Sequence, residues 1–237
     1  QKTSEIYSVI DQSFASRWRD ERTGHRDRNR SGKHWFFHFR QSGSSGKENR
    51  IISEKTGKDI IIELGLQTAN YKTLKILNRC EDLADFIKAC NMISEYRFRI
   101  CTHVILSLPW DDEQDIIETA RIINVLGIKE VKIHSLFIIK NTKLEKMYKN
   151  NEFKMPSKED YQKNVILFLR HINKDIAIQR IVGRAPKEDS VFCNWDTSWW
   201  MIRDEIIKYM NENNILQGDL STMKEYKKLK GEMKWFI

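Results

Sequence analysis

From about residue 58 the chain alternates short, mostly apolar runs with stretches of helical spacing, and this alternation restricts its fold more than any other feature. KDIIIELGLQ is a continuous apolar run with a glycine and an amide near its end. NYKTLKILNR and DLADFIKACNMISEY follow with helical spacing, which puts Leu74, Leu77, Leu83, Phe86, Ile87 and Cys90 on a stripe. FRICTHVILSLP reads as a second strand, DDEQDIIETARIINVLG as a helix opened by acidic residues and closed by Gly127, and EVKIHSLFII as a third strand. Strands apolar on both faces, alternating with amphipathic helices, imply parallel βαβ units covered by helices. The expected fold class is therefore α/β, as part of a β/α barrel or an open sheet.

Beyond residue 140 the rhythm changes. TKLEKMYKN and SKEDYQKNVILFLRHI read as helices, the second with Ser157 as N-cap and Glu159 or Asp160 near the capping-box position. DIAIQRIVG reads as a further strand and WWMIRDEIIKYMNENN as a helix, followed by a Lys-rich tail with a partly helical pattern. We expect three parts: a basic, poorly ordered or non-native segment over residues 1–57, βα units over 58–140, and an α/β C-terminal extension over 141–237 that adds to the barrel rather than forming a second domain.

A chain of 237 residues with 40% hydrophobic side chains can bury a real core. No stretch approaches the roughly 18 apolar residues of a membrane span, and no apolar signal core opens the chain. Cys80, Cys90, Cys101 and Cys193 are few and widely spaced, as free thiols of a reduced compartment are, and none pair at CxxC spacing. A cytoplasmic location is expected. The net charge of +8 is concentrated at one end, because residues 1–50 hold 11 Lys/Arg against 6 Asp/Glu. That segment reads either as an RNA-binding arm or as a solvated tail of different coding history.

In parallel α/β folds, chemistry gathers at the carboxyl ends of strands. Gln67 lies at the end of its strand, Arg79 lies past the following helix, and His103 and Ile105 lie on the next strand. An amide and an imidazole can each hydrogen-bond hydroxyls, a guanidinium forks onto a carboxylate, and an apolar residue can cover a flat ring. Together the four suit a nucleoside-linked amino acid. The plain alternative is that Gln67 and Arg79 satisfy a strand end and a helix end. Glu63 points into a barrel if it lies in the strand, where an unpaired carboxylate is costly, so a polar partner or ligand is expected. His134 reads equally as a core histidine or a ligand, Cys90 and Cys101 as small buried hydrophobes, and the tryptophans of NWDTSWW as core or as a stacking platform for a flat ligand.

The run ELGLQTANYKTLKILNR, then DLADF, CTHVILSLPWDD, VKIHSLFIIKNTKLEKMY, IAIQRIVGRAP and FCNWDTSWW resembles the later part of a radical S-adenosylmethionine (SAM) protein. It is similar to the uncharacterised bacterial family related to the Elongator catalytic subunit and to oxygen-independent coproporphyrinogen oxidase, over roughly residues 55–220. The resemblance implies a partial radical SAM (β/α) barrel, with SAM and a [4Fe-4S] cluster as cofactors. It makes Gln67 and His103 contacts to the ribose of SAM, Arg79 the partner of its carboxylate and Ile105 a cover for its adenine, with Glu63 beside them. The sequence also departs from the family. His103 stands where relatives place an aspartate, LPWDD stands for Leu-Pro-Gly-Glu, and Cys80 follows the Asn-Arg pair where glycine is usual. The cysteine triplet that binds the cluster is not present, so no metal ligand is assigned.

Two functions of different class follow. One is SAM-dependent radical chemistry on an unknown substrate, tRNA or other RNA among the candidates, with this chain lacking the cluster-binding part. The other is a non-catalytic remnant or a module binding RNA or a protein partner. No membrane partner is expected, and exposed sheet edges make self-association an expectation.

Overall fold

The computed structural model describes residues 34–38, 59–79, 81–96, 98–185 and 188–221. Apart from the strand at 34–38, the expectations for the basic segment 1–57 lie outside these residues, as do Cys80 and the Lys-rich tail beyond 221.

The sheet is five-stranded and its paired neighbours run parallel, in the order β1 (His34–His38), β2 (Asp59–Gln67), β3 (Arg99–Ile105), β4 (Glu130–His134) and β6 (Ala177–Arg180). Between β2 and β3 lie α1 (Tyr71–Ile76) and α2 (Leu83–Ser94); α3 (Glu113–Val125) joins β3 to β4. Each element coincides with an expected periodic run to within a few residues. β1 is an addition, since the charged segment around it carries no periodicity. EVKIHSLFII also divides: β4 ends at His134, and only β5 (Ile138–Ile139) continues, pairing antiparallel with β7 (Ser190–Phe192). After β5 come α4 (Lys143–Lys149) and α5 (Lys158–His171); β7 is followed by a 3-10 turn at Asn194–Asp196 and by α6 (Trp199–Glu212).

The helix boundaries follow from local chemistry. Asp82, Asp112 and Ser157 each cap a helix and are answered three residues on by Asp85, Asp115 and Asp160, so α2, α3 and α5 all start with a reciprocal capping box. α3 stops at Gly127, whose φ of 67° is the left-handed residue of a helix end, with the Ile128 amide returning to the Ile123 carbonyl.

Strand alternation separates two faces of the sheet. On one, Ile62, Leu64, Leu66, Ile100, Val104, Val131 and Ile133 join Phe86, Ile116, Ile123, Val165, Phe168, Ile202 and Ile206 of the covering helices in a single core. Each such side chain contributes up to about 1.5–3 kcal/mol relative to exposure. The α5 and α6 helices and β6 belong to this assembly, so the C-terminal extension shares the core and the sheet of the preceding βα units. The other face is not the apolar surface that the strands suggest as continuous runs. It carries Glu63 on β2, Cys101 and His103 on β3, and Glu130, Lys132 and His134 on β4.

Candidate active site

The polar face is held together by ionic contacts that cross strands. Glu63 is 8% exposed and ties two neighbours at once: its Oε2 lies 2.9 Å from His103 Nε2, and its Oε1 accepts from Lys132 Nζ. Burial alone raises this carboxyl; the His103 hydrogen bond and the charges of His103 and Lys132 outweigh it and hold Glu63 down at about 2. His103 stacks on His134, with ring centroids 5.1 Å apart and planes 20° apart. Burial, reinforced by the charge of His103 and then of Arg180 and Lys132, keeps His134 well below its ordinary value and therefore neutral. Toward the other end of the same face, Arg99 pairs with the buried Glu130. Cys101 is fully buried between these groups, and desolvation pushes its thiol up to about 12, so it is inert, as is Cys90 for the same reason.

One step along β2, Gly65 pairs in register with His103. A Cβ there would lie 2.4 Å from Gln67 Nε2 and 3.5 Å from Arg79 Nη1, so any side chain at this position would displace the Gln67 amide. Gln67 and Arg79, twelve residues apart, therefore converge over the same glycine. Arg79 donates to the Gly65 carbonyl at 3.1 Å and approaches Glu81 at 3.6 Å. Gln67 is 3% exposed, has a left-handed φ of 67°, and its Oε1 is buried without a hydrogen-bond partner among the described residues. A buried amide oxygen left unsatisfied costs about 1–3 kcal/mol, and a residue held in a strained conformation at a strand end marks a site where a ligand group would complete the bonding.

Of the sequence-derived residues, Glu63 and His103 are thus in direct contact, and Gln67 and Arg79 both lie close to Gly65, the strand partner of His103. Ile105 departs from this group. It is buried with Leu77, Leu108, Leu136, Ile138, Leu144 and Phe153 in a separate apolar cluster, beside the strand position of His134. Lys132 was not anticipated. The signal was available in Glu130, Lys132 and His134 at alternate positions of EVKIH, a half-polar strand pattern that the flanking apolar residues obscure.

On the C-terminal side, a Cβ at Gly183 would come within 2.5 Å of His134 Nδ1, so the segment after β6 lies directly on that imidazole. Asn194 is buried and secures it, donating to the Gly183 carbonyl at 2.8 Å and sharing a hydrogen bond with Ser135. Asn194, Trp195 and Asp196 all have φ between 51° and 52°. Trp195 is a core residue: it packs on Tyr161 and donates from Nε1 to the Pro156 carbonyl at 2.8 Å. Trp199 packs partly against the core, while Trp200 is 49% exposed.

The donor set on and around Gly65 suits SAM. The buried Gln67 oxygen can accept from a hydroxyl, and the Arg79 guanidinium close to Gly65 can pair with a carboxylate. A cluster is a different matter. Among the described residues no group of three or more His, Cys, Asp or Glu is placed to hold a metal ion, and no cluster ligand is assigned. No described helix is long and apolar enough to cross a membrane.

Comparison with known proteins bears on the family and the fold. Residues 128–212 match the Radical_SAM C-terminal domain. An uncharacterized protein of Methanocaldococcus jannaschii is 35% identical over 171 residues, covering 71% of this chain and 53% of that protein. The uncharacterized protein YtqA of Bacillus subtilis is 30% identical over 157 residues, covering 66% and 49%. The chain thus spans about half the length of these relatives. In fold it resembles the archaeal Elp3 of Methanocaldococcus infernus with an N-terminal deletion, at a TM-score of 0.62 and 22% identity over 77% of this chain and 42% of that one. Residues 128–212 are thus related to the Radical_SAM C-terminal domain, within a fold that resembles that of the archaeal Elp3.

Proposed function

We propose that this chain supplies the SAM-side strands and the C-terminal domain of a radical SAM enzyme, with the polar face of the sheet as its cofactor and substrate site. SAM, together with an iron–sulfur cluster, supplies one-electron radical chemistry in such enzymes. The residues of this chain bind and orient. Gln67 offers its buried Oε1 to a ribose hydroxyl, and Arg79 offers its guanidinium to the methionyl carboxylate. Glu63 holds His103 by its ring nitrogen, so that the imidazole faces the same ligand in one fixed orientation. The helix-covered back of the sheet excludes water from behind.

The observation that carries this reading is the buried Gln67 Oε1, without a hydrogen-bond partner among the described residues, on an amide whose Nε2 lies over Gly65 near Arg79. The test is equilibrium dialysis of the full chain against SAM, with Gln67→Ala and Arg79→Ala alongside. Loss of one hydrogen bond to a charged or buried partner lowers affinity by about tenfold, and both variants should lose at least that much. Binding that neither variant weakens, or no binding by the parent chain, would sink the proposal.

A further inference from the structure

The corner between β2 and α1 is bonded to the loop after β3 more heavily than the two connections need for chain continuity. Thr73 Oγ1 donates to Asp111 Oδ1 at 2.5 Å, and Thr68 also hydrogen-bonds to the Asp111 carboxyl. Asn70 Nδ2 donates to Asp115 Oδ2 at 2.8 Å, and the Ala69 amide donates to Thr119 Oγ1 at 2.9 Å. Within the corner, the Asn70 amide donates to Thr68 Oγ1 at 3.1 Å, and the Thr68 amide to the Leu66 carbonyl at 2.9 Å. Three successive residues, Thr68 to Asn70, are thereby fixed, and they follow directly on the left-handed Gln67.

A strained backbone persists only where its surroundings over-determine it. Gln67 lacks the glycine that a φ of 67° favours, and its Oε1 gains nothing from the described residues. The strain is therefore maintained from outside, by bonds on the following residues. Asp111 lies at the centre of those bonds, accepting from a threonine on each side.

We propose that Asp111 is a positioning residue: through Thr68 and Thr73 it clamps the β2–α1 corner and so holds the Gln67 amide aimed over Gly65. The proposal rests on the reading of Gln67 as a SAM contact and adds how that contact is preorganised. Asp111 acts on the ligand only through Gln67, so its effect vanishes where Gln67 is already gone.

That dependence supplies the experiment. SAM affinity of the full chain is measured by equilibrium dialysis for the parent, Gln67→Ala, Asp111→Ala, Asp111→Asn and the double variant Gln67→Ala/Asp111→Ala. Amide hydrogen exchange is followed at Ala69 and, as a distant reference, at Ile123 in α3. Removing the clamp should weaken SAM binding about fivefold in the parent background and less than about twofold in the Gln67→Ala background, since the two groups share one contact. Exchange at Ala69 should quicken about tenfold in Asp111→Ala while Ile123 is unchanged. Asp111→Asn, which keeps the volume and one carbonyl acceptor, should recover part of both. Equal losses in the two backgrounds, or unaltered protection at Ala69, would overturn the clamp. If Asp111→Ala does not fold, Thr73→Val removes one of the bonds to Asp111 and is read the same way with smaller changes. If Gln67→Ala leaves SAM affinity intact, the cofactor reading falls. Exchange at Ala69 then decides the clamp alone: quickened exchange supports it, and unchanged exchange refutes it.

Discussion

Glu63 on β2 and Asp111 in the loop after β3 are carboxylates of successive βα units, and desolvation raises both. They nevertheless shift in opposite directions. Glu63 faces a lysine and a histidine and is held at about 2; Asp111 faces two threonine hydroxyls, with Asp115 and Asp112 nearby, and is pushed up to about 6. Hydroxyls satisfy lone pairs without offsetting charge, whereas cations do both. The polar face is thus an ionic bridge across three strands, and the corner above it is a neutralising hydrogen-bonded clamp. One fixes side chains in the site; the other fixes backbone beside it.

The largest expected effect tests the ionic half of this contrast. Glu63→Ala leaves Lys132 and His103 facing each other on a buried face, and should lower unfolding free energy by about 3–5 kcal/mol in urea titrations at neutral pH. A loss below about 1 kcal/mol, the range of an exposed pair, would show that the bridge is solvated and break the comparison.

The pH dependence separates the two carboxylates. Glu63 has a depressed folded pKa, so its contribution, on the order of 3 kcal/mol, is present above the ordinary value of 4.5 and is lost as pH falls toward about 2. Asp111 works the other way. Its folded form keeps the proton longer than the unfolded chain does, so stability should fall as pH rises from 3.8 through about 6. Urea titrations across this range should show both slopes, and Asp111→Asn should remove only the second. An unchanged slope in that variant would mean that the group titrates normally.

Smaller effects refine the picture. Asp111→Ala, at a half-buried position, should cost about 1–2 kcal/mol, well below the Glu63 variant. Gly65→Ala should cost less still, under about 1 kcal/mol, because the new Cβ meets the end of a flexible side chain and the Gln67 amide can swing away. Its consequence should appear in SAM affinity instead. A Gly65→Ala chain that binds SAM as the parent does would show that the amide has no fixed role.

Much of this was legible in advance. The apolar runs gave β2, β3 and β4, the Ser157 cap gave the start of α5, and the acidic first turn and Gly127 gave the two ends of α3, while the capping boxes at Asp82 and Asp112 were not read. Glu63 stood out because a carboxylate inside a buried strand requires a partner, and Gln67, Arg79 and His103 because chemistry gathers at the carboxyl ends of parallel strands and the family resemblance falls on them. Three things were hidden. Lys132 lay inside a run that reads as apolar, β7 is only three residues long, and the Asp111 clamp pairs residues with no local signature. Ile105 was read as the cover of a flat ring, and in the structure its neighbours are the second apolar cluster.

What the sequence determined by itself is therefore the order of elements and the parallel sheet, because periodicity, caps and stops act over a few residues. Which polar side chains meet was decided by tertiary structure alone. Glu63 reaches His103 across 40 residues and Lys132 across 69, and Thr73 reaches Asp111 across 38. Those separations become contacts only when parallel pairing sets neighbouring strands in register and brings their carboxyl ends to one rim, and no pattern within a single strand encodes that register.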